Sequence, residues 1–288
     1  MEDYLVRIMA KEAGVRGLAC VTTELTNEAI RRHEAQGAVS IGLARGLASA
    51  ALMGALLKVQ QRVALKFEGG GLLKKMVVES NSYGKVRGYA TPIAEHGAIS
   101  SPANMMDLFS PNGLLTVVKD VRLKELYQGI VPLISGEVDS DLAHYLNQSE
   151  QTPSLVELDQ HLGEDGRMVV AGGLLIQALP GNEALNLDTY VNRLDDLPPL
   201  ATLLADGKTP EEVLAFVFSG EEYELLEVRP LYFECSCSWA RSEQALLLLG
   251  RAEIESLIEE QEAVVDCHFC HQRYIFDAAA LELLLEKL

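Results

Sequence analysis

Four of the five cysteines in this 288-residue chain stand in two close pairs, Cys235-x-Cys237 and Cys267-x-x-Cys270. Zinc takes four ligands in a tetrahedron and thiolate sulfur is among the best of them. Close pairs let one chain supply all four at little loop-closure cost. The pattern reads as one tetrathiolate Zn2+ site per reduced chain. Two plainer readings stand beside it: four unrelated thiols, or a constitutive disulfide framework. The chain opens on acid, Met1-Glu2-Asp3, with no apolar segment and cleavage site behind it. The expected location is therefore cytoplasmic, where metal or redox chemistry is favoured over structural disulfides. Cys20 lies in a β-rich stretch and is expected to be a small core residue. His268 and His271 flank the second pair, but four sulfurs already complete the tetrahedron without them.

The formal charge of −18 is unevenly spread. Residues 1–134 carry 16 basic against 12 acidic side chains, and residues 135–288 carry 8 against 30. A zinc tetrathiolate adds two further negative charges, so the cysteine module is a poor match for a phosphate backbone, and no nucleic-acid partner is expected. The most apolar stretch, Ala38 to Val59, is interrupted by Arg45 and closed by Lys58. It reads as a buried central helix, with no membrane partner.

The fold class expected is mixed α+β/α/β: a large N-terminal α/β domain, a helical linker and a small C-terminal zinc-binding domain, at residues 1–180, 181–231 and 232–288. In the first, Val15 to Thr23 reads as strand, and Thr26 is placed to N-cap a helix to about His33. A buried helix from about Ser40 to Lys58 and a strand Arg62 to Glu68 follow, and Gly69-Gly70-Gly71 makes a turn, not a phosphate loop. Met76 to Glu79 and Lys85 to Tyr89 flank a hairpin turn. A helix at about Asp139 to Asn147 and a strand at Met168 to Leu179 lead to Pro180-Gly181.

In the linker, with 11 acidic and 3 basic residues, two amphipathic helices joined by Asp195-Asp196-Leu197-Pro198-Pro199 are expected. One presents Leu187, Tyr190, Val191 and Leu194. The other opens on the capping box Thr209-Pro210-Glu211-Glu212 and presents Val213, Phe216 and Val217. Such stripes need an apolar surface to lie on. Between the cysteine pairs, Ser242 to Leu249 and Glu253 to Glu260 read as a helical hairpin about Gly250 that returns the second pair to the first. Trp239 is expected to pack within the module. Tyr274-Ile275-Phe276 reads as a short strand, and Asp277 caps a last helix with the stripe Leu281, Leu284, Leu285 and Leu288.

Phe233-Glu234-Cys235-Ser236-Cys237-Ser238, then Asp266-Cys267-His268-Phe269-Cys270 with Tyr274-Ile275-Phe276-Asp277, resemble the zinc module of the 33 kDa heat-shock chaperonins, the redox-regulated holdases. Tyr145-Leu146-Asn147-Gln148-Ser149-Glu150-Gln151 with Pro153 is similar to that family's Ser-Glu-Gln motif. Ala171 to Pro180 resembles the strand closing its first domain, and Asp3-Tyr4-Leu5 and Val15-Arg16-Gly17 fit its N-terminus. The resemblance spans nearly the whole chain. It implies an ATP-independent chaperone, not an enzyme. Such a chaperone is inactive while reduced and zinc-bound, and is activated when oxidant forms disulfides, ejects zinc and unfolds the C-terminal region. It also implies neighbour disulfides, Cys235 with Cys237 and Cys267 with Cys270, unfolded proteins as clients, and a homodimer in the active state.

The residues themselves suggest where clients bind. If the zinc module braces the linker, loosening it exposes Leu187, Tyr190, Leu194, Val213, Phe216 and Val217 together with the surface beneath them. Glu150, with no partner nucleophile in sight, is expected to be structural at a helix end. A thiol-disulfide oxidoreductase is a second reading, weakened because Cys267 follows acidic Asp266 and opens no clear helix. A zinc-bearing regulatory adaptor is a third, weakened by charge.

Overall fold

The computed structural model describes residues 2–93, 108–182 and 185–288; Met1 and linker residues 183 and 184 lie outside the described residues. The chain divides into two compact units, Met1–Glu234 and Cys235–Leu288. The first runs β1 (Tyr4–Ala10), β2 (Val15–Val21), α1 (Thr23–His33), α2 (Ala38–Ala55), β3 (Arg62–Glu68), β4 (Leu73–Asn81), β5 (Lys85–Pro92), β6 (Leu114–Asp120) and β7 (Tyr127–Pro132). It continues through α3 (Val138–Gln148), β8 (Ser154–Leu162), β9 (Met168–Ala178), α4 (Asp188–Asp195), α5 (Leu200–Ala205), α6 (Pro210–Val217), β10 (Glu224–Pro230) and β11 (Tyr232–Phe233).

Two sheets form, ordered β10-β1-β2-β9-β8 and β11-β5-β4-β3-β6-β7. The ladders are antiparallel except for the short parallel pairing of Tyr232 and Phe233 with Lys85 and Val86. The mixed αβ expectation holds, with helices laid on antiparallel sheets in place of βαβ crossovers. The glycine break falls between β3 and β4, and the hairpin about Ser80 to Gly84 joins β4 to β5.

Helix α2 is long and apolar enough to cross a membrane, yet it is buried inside this unit, packed against strands of both sheets. Two glycines on its face explain how close β4 comes. A Cβ on Gly42 would lie 2.5 Å from Leu73 Cδ1, and one on Gly46 2.5 Å from Met76 Sδ. Arg45, the charge within this apolar run, donates to Gln160 at 3.0 Å and pairs with Asp139 at 3.6 Å.

Helix α1 starts a turn earlier than the sequence suggests. Thr26 is fully buried inside it and caps nothing. The free amides at its N-terminus go instead to Asp3, whose Oδ1 accepts from Glu24 at 3.1 Å and whose Oδ2 accepts from Leu25 at 2.6 Å. A carboxylate 21 and 22 residues upstream of those amides thus does what a local cap residue would do.

Burial pushes the Asp3 carboxyl up to about 6, against the opposing pull of those amides. A carboxyl whose folded pKa is raised contributes stability that is complete below its unfolded value and is lost as pH rises through the folded value. We therefore expect Asp3→Asn, which mimics the neutral form, to gain stability relative to the unmodified chain between about pH 4 and pH 7. Urea titrations of the two proteins across that range check it. A stability difference independent of pH would contradict the assignment.

The linker is more elaborate than two helices. Its capping box forms as expected, with the Thr209 side chain accepting from the Glu212 amide at 3.2 Å and the Glu212 carboxylate accepting from the Thr209 amide at 2.9 Å. A third helix, α5, follows the Pro198-Pro199 turn and buries Leu200, Leu203 and Leu204. Within the stripes, Leu187, Tyr190, Val213 and Val217 are buried and Leu194 packs beside them. Phe216 is instead 40 % exposed and Val191 36 %. Leu214 and Phe218 take the buried places. Together the helices cover the outer face of the first sheet, on Val6, Ile8, Val15, Ala19, Val21, Leu174 and Ile176.

The linker then ends in a strand, which helical periodicity did not anticipate. β10 joins the sheet edge along β1, from Tyr4↔Pro230 to Met9↔Glu224. Charge anchors it: Arg7 and Arg229 flank Glu227 and donate to the carbonyls of Ala55 and Gly54 at the C-terminus of α2. Cations at that helix end meet the free carbonyls and the negative end of the dipole.

Candidate metal centre

The second unit comprises α7 (Trp239–Leu247), α8 (Arg251–Glu259), β12 (Glu262–Asp266), β13 (Arg273–Asp277) and α9 (Ala278–Leu285). Gly250 separates α7 from α8 with φ +86°. The return runs through a strand, β12, that the sequence reading lacks; it pairs antiparallel with β13 from Glu262↔Asp277 to Asp266↔Arg273. This hairpin makes the Cys-x-x-Cys loop its tip. The Cys267 amide donates to the Gln272 carbonyl at 3.0 Å, the His271 amide to the Cys267 carbonyl at 2.8 Å, and Asp266 and Arg273 pair at 2.8 Å across its base.

The first cysteine pair leads directly into α7, which Ser238 caps by accepting from the Arg241 amide at 3.3 Å. Arg241 also donates to Ser236 Oγ at 2.6 Å, tying the residue between the two cysteines to the helix. Asp277 caps α9 as expected, at 2.9 Å from the Ala280 amide. Of the final leucine stripe, Leu281 and Leu284 are buried, Leu285 is partly so, and Leu288 is exposed, past the helix end. Trp239 packs on Phe276 with ring centroids 4.2 Å apart. The core is small: Leu246, Ile254, Ala263, Phe276, Leu281 and Leu284 are its buried side chains.

The four sulfurs come together. All lie within 4.8 Å of one another, with Cys235 Sγ to Cys267 Sγ at 3.6 Å and Cys237 Sγ to Cys270 Sγ at 3.4 Å. Zinc–sulfur bonds of about 2.3 Å in a tetrahedron imply sulfur–sulfur edges of about 3.8 Å, so the donor set and its spacing fit a zinc ion. Burial pushes the Cys267 and Cys270 thiols up, and the adjoining sulfurs add to this. A metal bound there would have to displace protons, so its affinity would fall with falling pH. The Tyr274 hydroxyl donates to Cys237 Sγ at 3.2 Å, and this bond, more than burial, raises the Tyr274 hydroxyl to about 12. His268 and His271 line a cleft beside the cluster with Asp266, Cys267 and Arg273.

This arrangement invites comparison with known proteins. The family model of the Hsp33 protein matches residues 3–277. The chain belongs to the Hsp33 family.

Its Hsp33 relatives include the 33 kDa chaperonin of Pelobacter propionicus, 46 % identical over 289 residues, which cover 99 % of this chain and 95 % of the relative. That of Geobacter sulfurreducens is 44 % identical over 288 residues, covering 99 % and 96 %. The crystal structure of the Hsp33 homologue from Thermotoga maritima superposes with a TM-score of 0.87 at 28 % identity, covering 99 % of this chain and 98 % of that one.

The remaining residues singled out in the sequence have structural places. Cys20 is 1 % exposed, and burial pushes its thiol up to about 12, which makes it a packed, unreactive side chain. Glu150, just past the end of α3, pairs with Lys119 of β6 and so ties the helix end to the second sheet. Gly17 is the floor under the linker: a Cβ there would lie 2.6 Å from the Phe218 ring. Local sequence hints at neither the Gly17–Phe218 contact nor Tyr274 as a sulfur partner, since each joins distant segments.

Proposed function

We propose that this chain is a redox-regulated, ATP-independent holdase that binds unfolding proteins and prevents their aggregation under oxidative stress. In this reading it is cytoplasmic, silent while reduced and zinc-bound, and dimeric when active. The observation that carries the reading is the gathering of four sulfurs, at distances suited to a tetrahedral ion, on a unit with only six buried apolar side chains. Family membership supports the chaperone class, because the relatives carry the name 33 kDa chaperonin.

Cys235, Cys237, Cys267 and Cys270 would hold the zinc, which keeps their sulfurs as thiolates and ties the two ends of the unit together. A thiolate attacks a peroxide oxygen, the O–O bond breaks, and the sulfur becomes a sulfenic acid as hydroxide leaves. A second thiolate then attacks that sulfur, the S–S bond forms, and the sulfenic oxygen departs as hydroxide. Two such events consume all four ligands. With them gone, the small core has little to resist opening.

The linker supplies the surface to be released. Its helices cover an apolar sheet face, and Leu187, Tyr190, Leu194, Val213 and Val217 line the contact. Phe216 belongs to the proposed client surface as an already exposed member. Lifting the helices uncovers an apolar patch able to hold clients or a second copy.

The pairing of the disulfides reports when the unit opens. In the folded unit the short sulfur contacts cross between the pairs, at 3.4 and 3.6 Å. The family resemblance implies instead that the disulfides of the opened chain join neighbours, Cys235 to Cys237 and Cys267 to Cys270. We expect peptide mapping after peroxide treatment to find the neighbour pairs; a predominance of Cys235–Cys267 and Cys237–Cys270 would mean that oxidation completes in the folded state. The function itself is tested by light scattering from an aggregating protein, with reduced and oxidised chain compared. Suppression only after oxidation supports the holdase. Insulin-disulfide reduction without suppression would select an oxidoreductase, and nucleic-acid retention an adaptor.

A further inference from the structure

We propose that Tyr274 is a positioning residue for the thiol switch, its hydroxyl holding Cys237 Sγ in the ligand set and restraining that sulfur from oxidation. The inference rests on the redox reading above. Its basis is the 3.2 Å hydrogen bond from the Tyr274 hydroxyl to Cys237 Sγ, which joins the two halves of the unit across 37 residues of sequence.

The tyrosine is well fixed to do this. It lies on β13, opposite Val265 of β12, and its ring meets Trp239 edge-on at 6.4 Å; Trp239 itself packs on the buried Phe276. The hydroxyl is thereby aimed by the hairpin and by the small core together. The other cysteine pair is served differently. The backbone amides of Phe269 and Cys270 pull the Cys267 thiol down, and that of Gln272 the Cys270 thiol, against the larger effect of burial. Those donors belong to the loop itself, and no side-chain substitution removes them. On Cys237 a side-chain hydroxyl does the work.

A hydrogen bond to a thiolate draws electron density from the sulfur and stabilises its charge. The sulfur then attacks peroxide more slowly, while its place among the ligands is held more firmly. The step affected is the first one: the Cys237 thiolate donates an electron pair to a peroxide oxygen, the O–O bond breaks, and hydroxide leaves. Removing the hydroxyl raises the nucleophilicity of that one sulfur and leaves the sulfurs of Cys267 and Cys270 as they were.

The test uses the full chain and Tyr274→Phe, both purified reduced with zinc. Phenylalanine keeps the ring on Trp239 and removes only the donor. Zinc stoichiometry is measured first, then competition against a chromogenic chelator, then oxidation by hydrogen peroxide with each cysteine followed by alkylation and mass spectrometry. Far-UV circular dichroism and Trp239 fluorescence monitor the fold. We expect Cys237 in the variant to be consumed roughly three- to tenfold faster relative to Cys270, and zinc to be lost at about tenfold lower chelator concentration, with unchanged circular dichroism. Equal Cys237-to-Cys270 ratios in a zinc-bearing pair of proteins would overturn the role of Tyr274 and leave the holdase reading intact. Uniform acceleration at all four sulfurs with loss of helix signal would reduce Tyr274 to a packing residue, also overturning it. A wild-type chain that retains no zinc would overturn the redox reading and this inference with it.

Discussion

Cys270→Ser is expected to cost the C-terminal unit both its metal and its fold. The substituted position is buried within the cluster, 4 % exposed, and its sulfur lies 3.4 Å from that of Cys237. Structural zinc in small domains contributes about 10–16 kcal/mol, whereas a core of this size rarely supplies more than about 3–5 kcal/mol. A serine oxygen is a much poorer zinc ligand than a thiolate, so most of the metal term disappears and what remains cannot hold α7, α8 and α9 together. The measurements are zinc per chain and circular dichroism under reducing conditions, with thermal unfolding of the first unit as internal reference. The sheet signal of that unit should persist, because its two sheets and α2 share no ligand with the cluster. Cys20→Ala is the control: it should retain full zinc while lowering the stability of the first unit by about 1–2 kcal/mol, the usual cost of a small core deletion. Zinc retention by the Cys270 variant equal to that of the control would remove Cys270 from the ligand set.

Lifting the linker should switch on holding activity without any oxidant. Phe218 is the best lever, since its ring is 1 % exposed, lies over the bare backbone of Gly17, and packs at 5.2 Å from Tyr190. Phe218→Ala removes that plug at an expected local cost of about 3–5 kcal/mol. Gly17→Val acts on the other side of the same contact, because its Cβ would fall 2.6 Å from the ring and force it out. Two substitutions on opposite sides of one interface should give one phenotype: suppression of aggregation by the reduced, zinc-bearing chain. Sheet signal in circular dichroism must persist, which separates a lifted linker from general unfolding. A well-folded variant that holds no client under reducing conditions would place the client surface elsewhere. A companion chain ending at Glu234, which retains β11 and the Lys85–Glu234 pair at 2.6 Å, tests whether the zinc unit braces the linker. Activity of that chain without oxidant supports the brace, and a soluble inactive product rejects it.

The parts of the fold legible in the sequence are those written in short-range spacing. The Thr209 capping box, the Asp277 cap, the hairpin turn before Lys85 and the helical turn-back at Gly250 each rest on a few consecutive residues, and all formed. The linker stripes were only partly legible for a geometric reason. α4 and α6 are each eight residues long, barely two turns, so periodicity defines a broad sector and leaves its edges open. Docking onto the sheet turned Phe218 inward and Phe216 outward, although both lie near the apolar side of the pattern. β10 is not legible locally because Glu224 to Pro230 carries exposed leucines and charges without a clean alternation; it is a strand because β1 offers it an unpaired edge. Local sequence points to Thr26 as the cap on α1, the nearest suitable side chain, whereas the acceptor is Asp3, which only chain folding brings near.

By itself, the sequence determined that four sulfurs stood in two tight pairs, that a long apolar helix had to be buried, and that a mildly basic front half was followed by a strongly acidic rear half. Those properties depend on composition and on separations of a few residues, which hold in any folded arrangement. Only the tertiary structure decided that the sulfurs approach at 3.4 and 3.6 Å across the pairs, that Tyr274 reaches Cys237, and that Phe218 closes over Gly17. Each of these joins segments tens to hundreds of residues apart, and such contacts are set by which faces and edges the packed elements leave open to one another, a quantity that no local window of sequence contains.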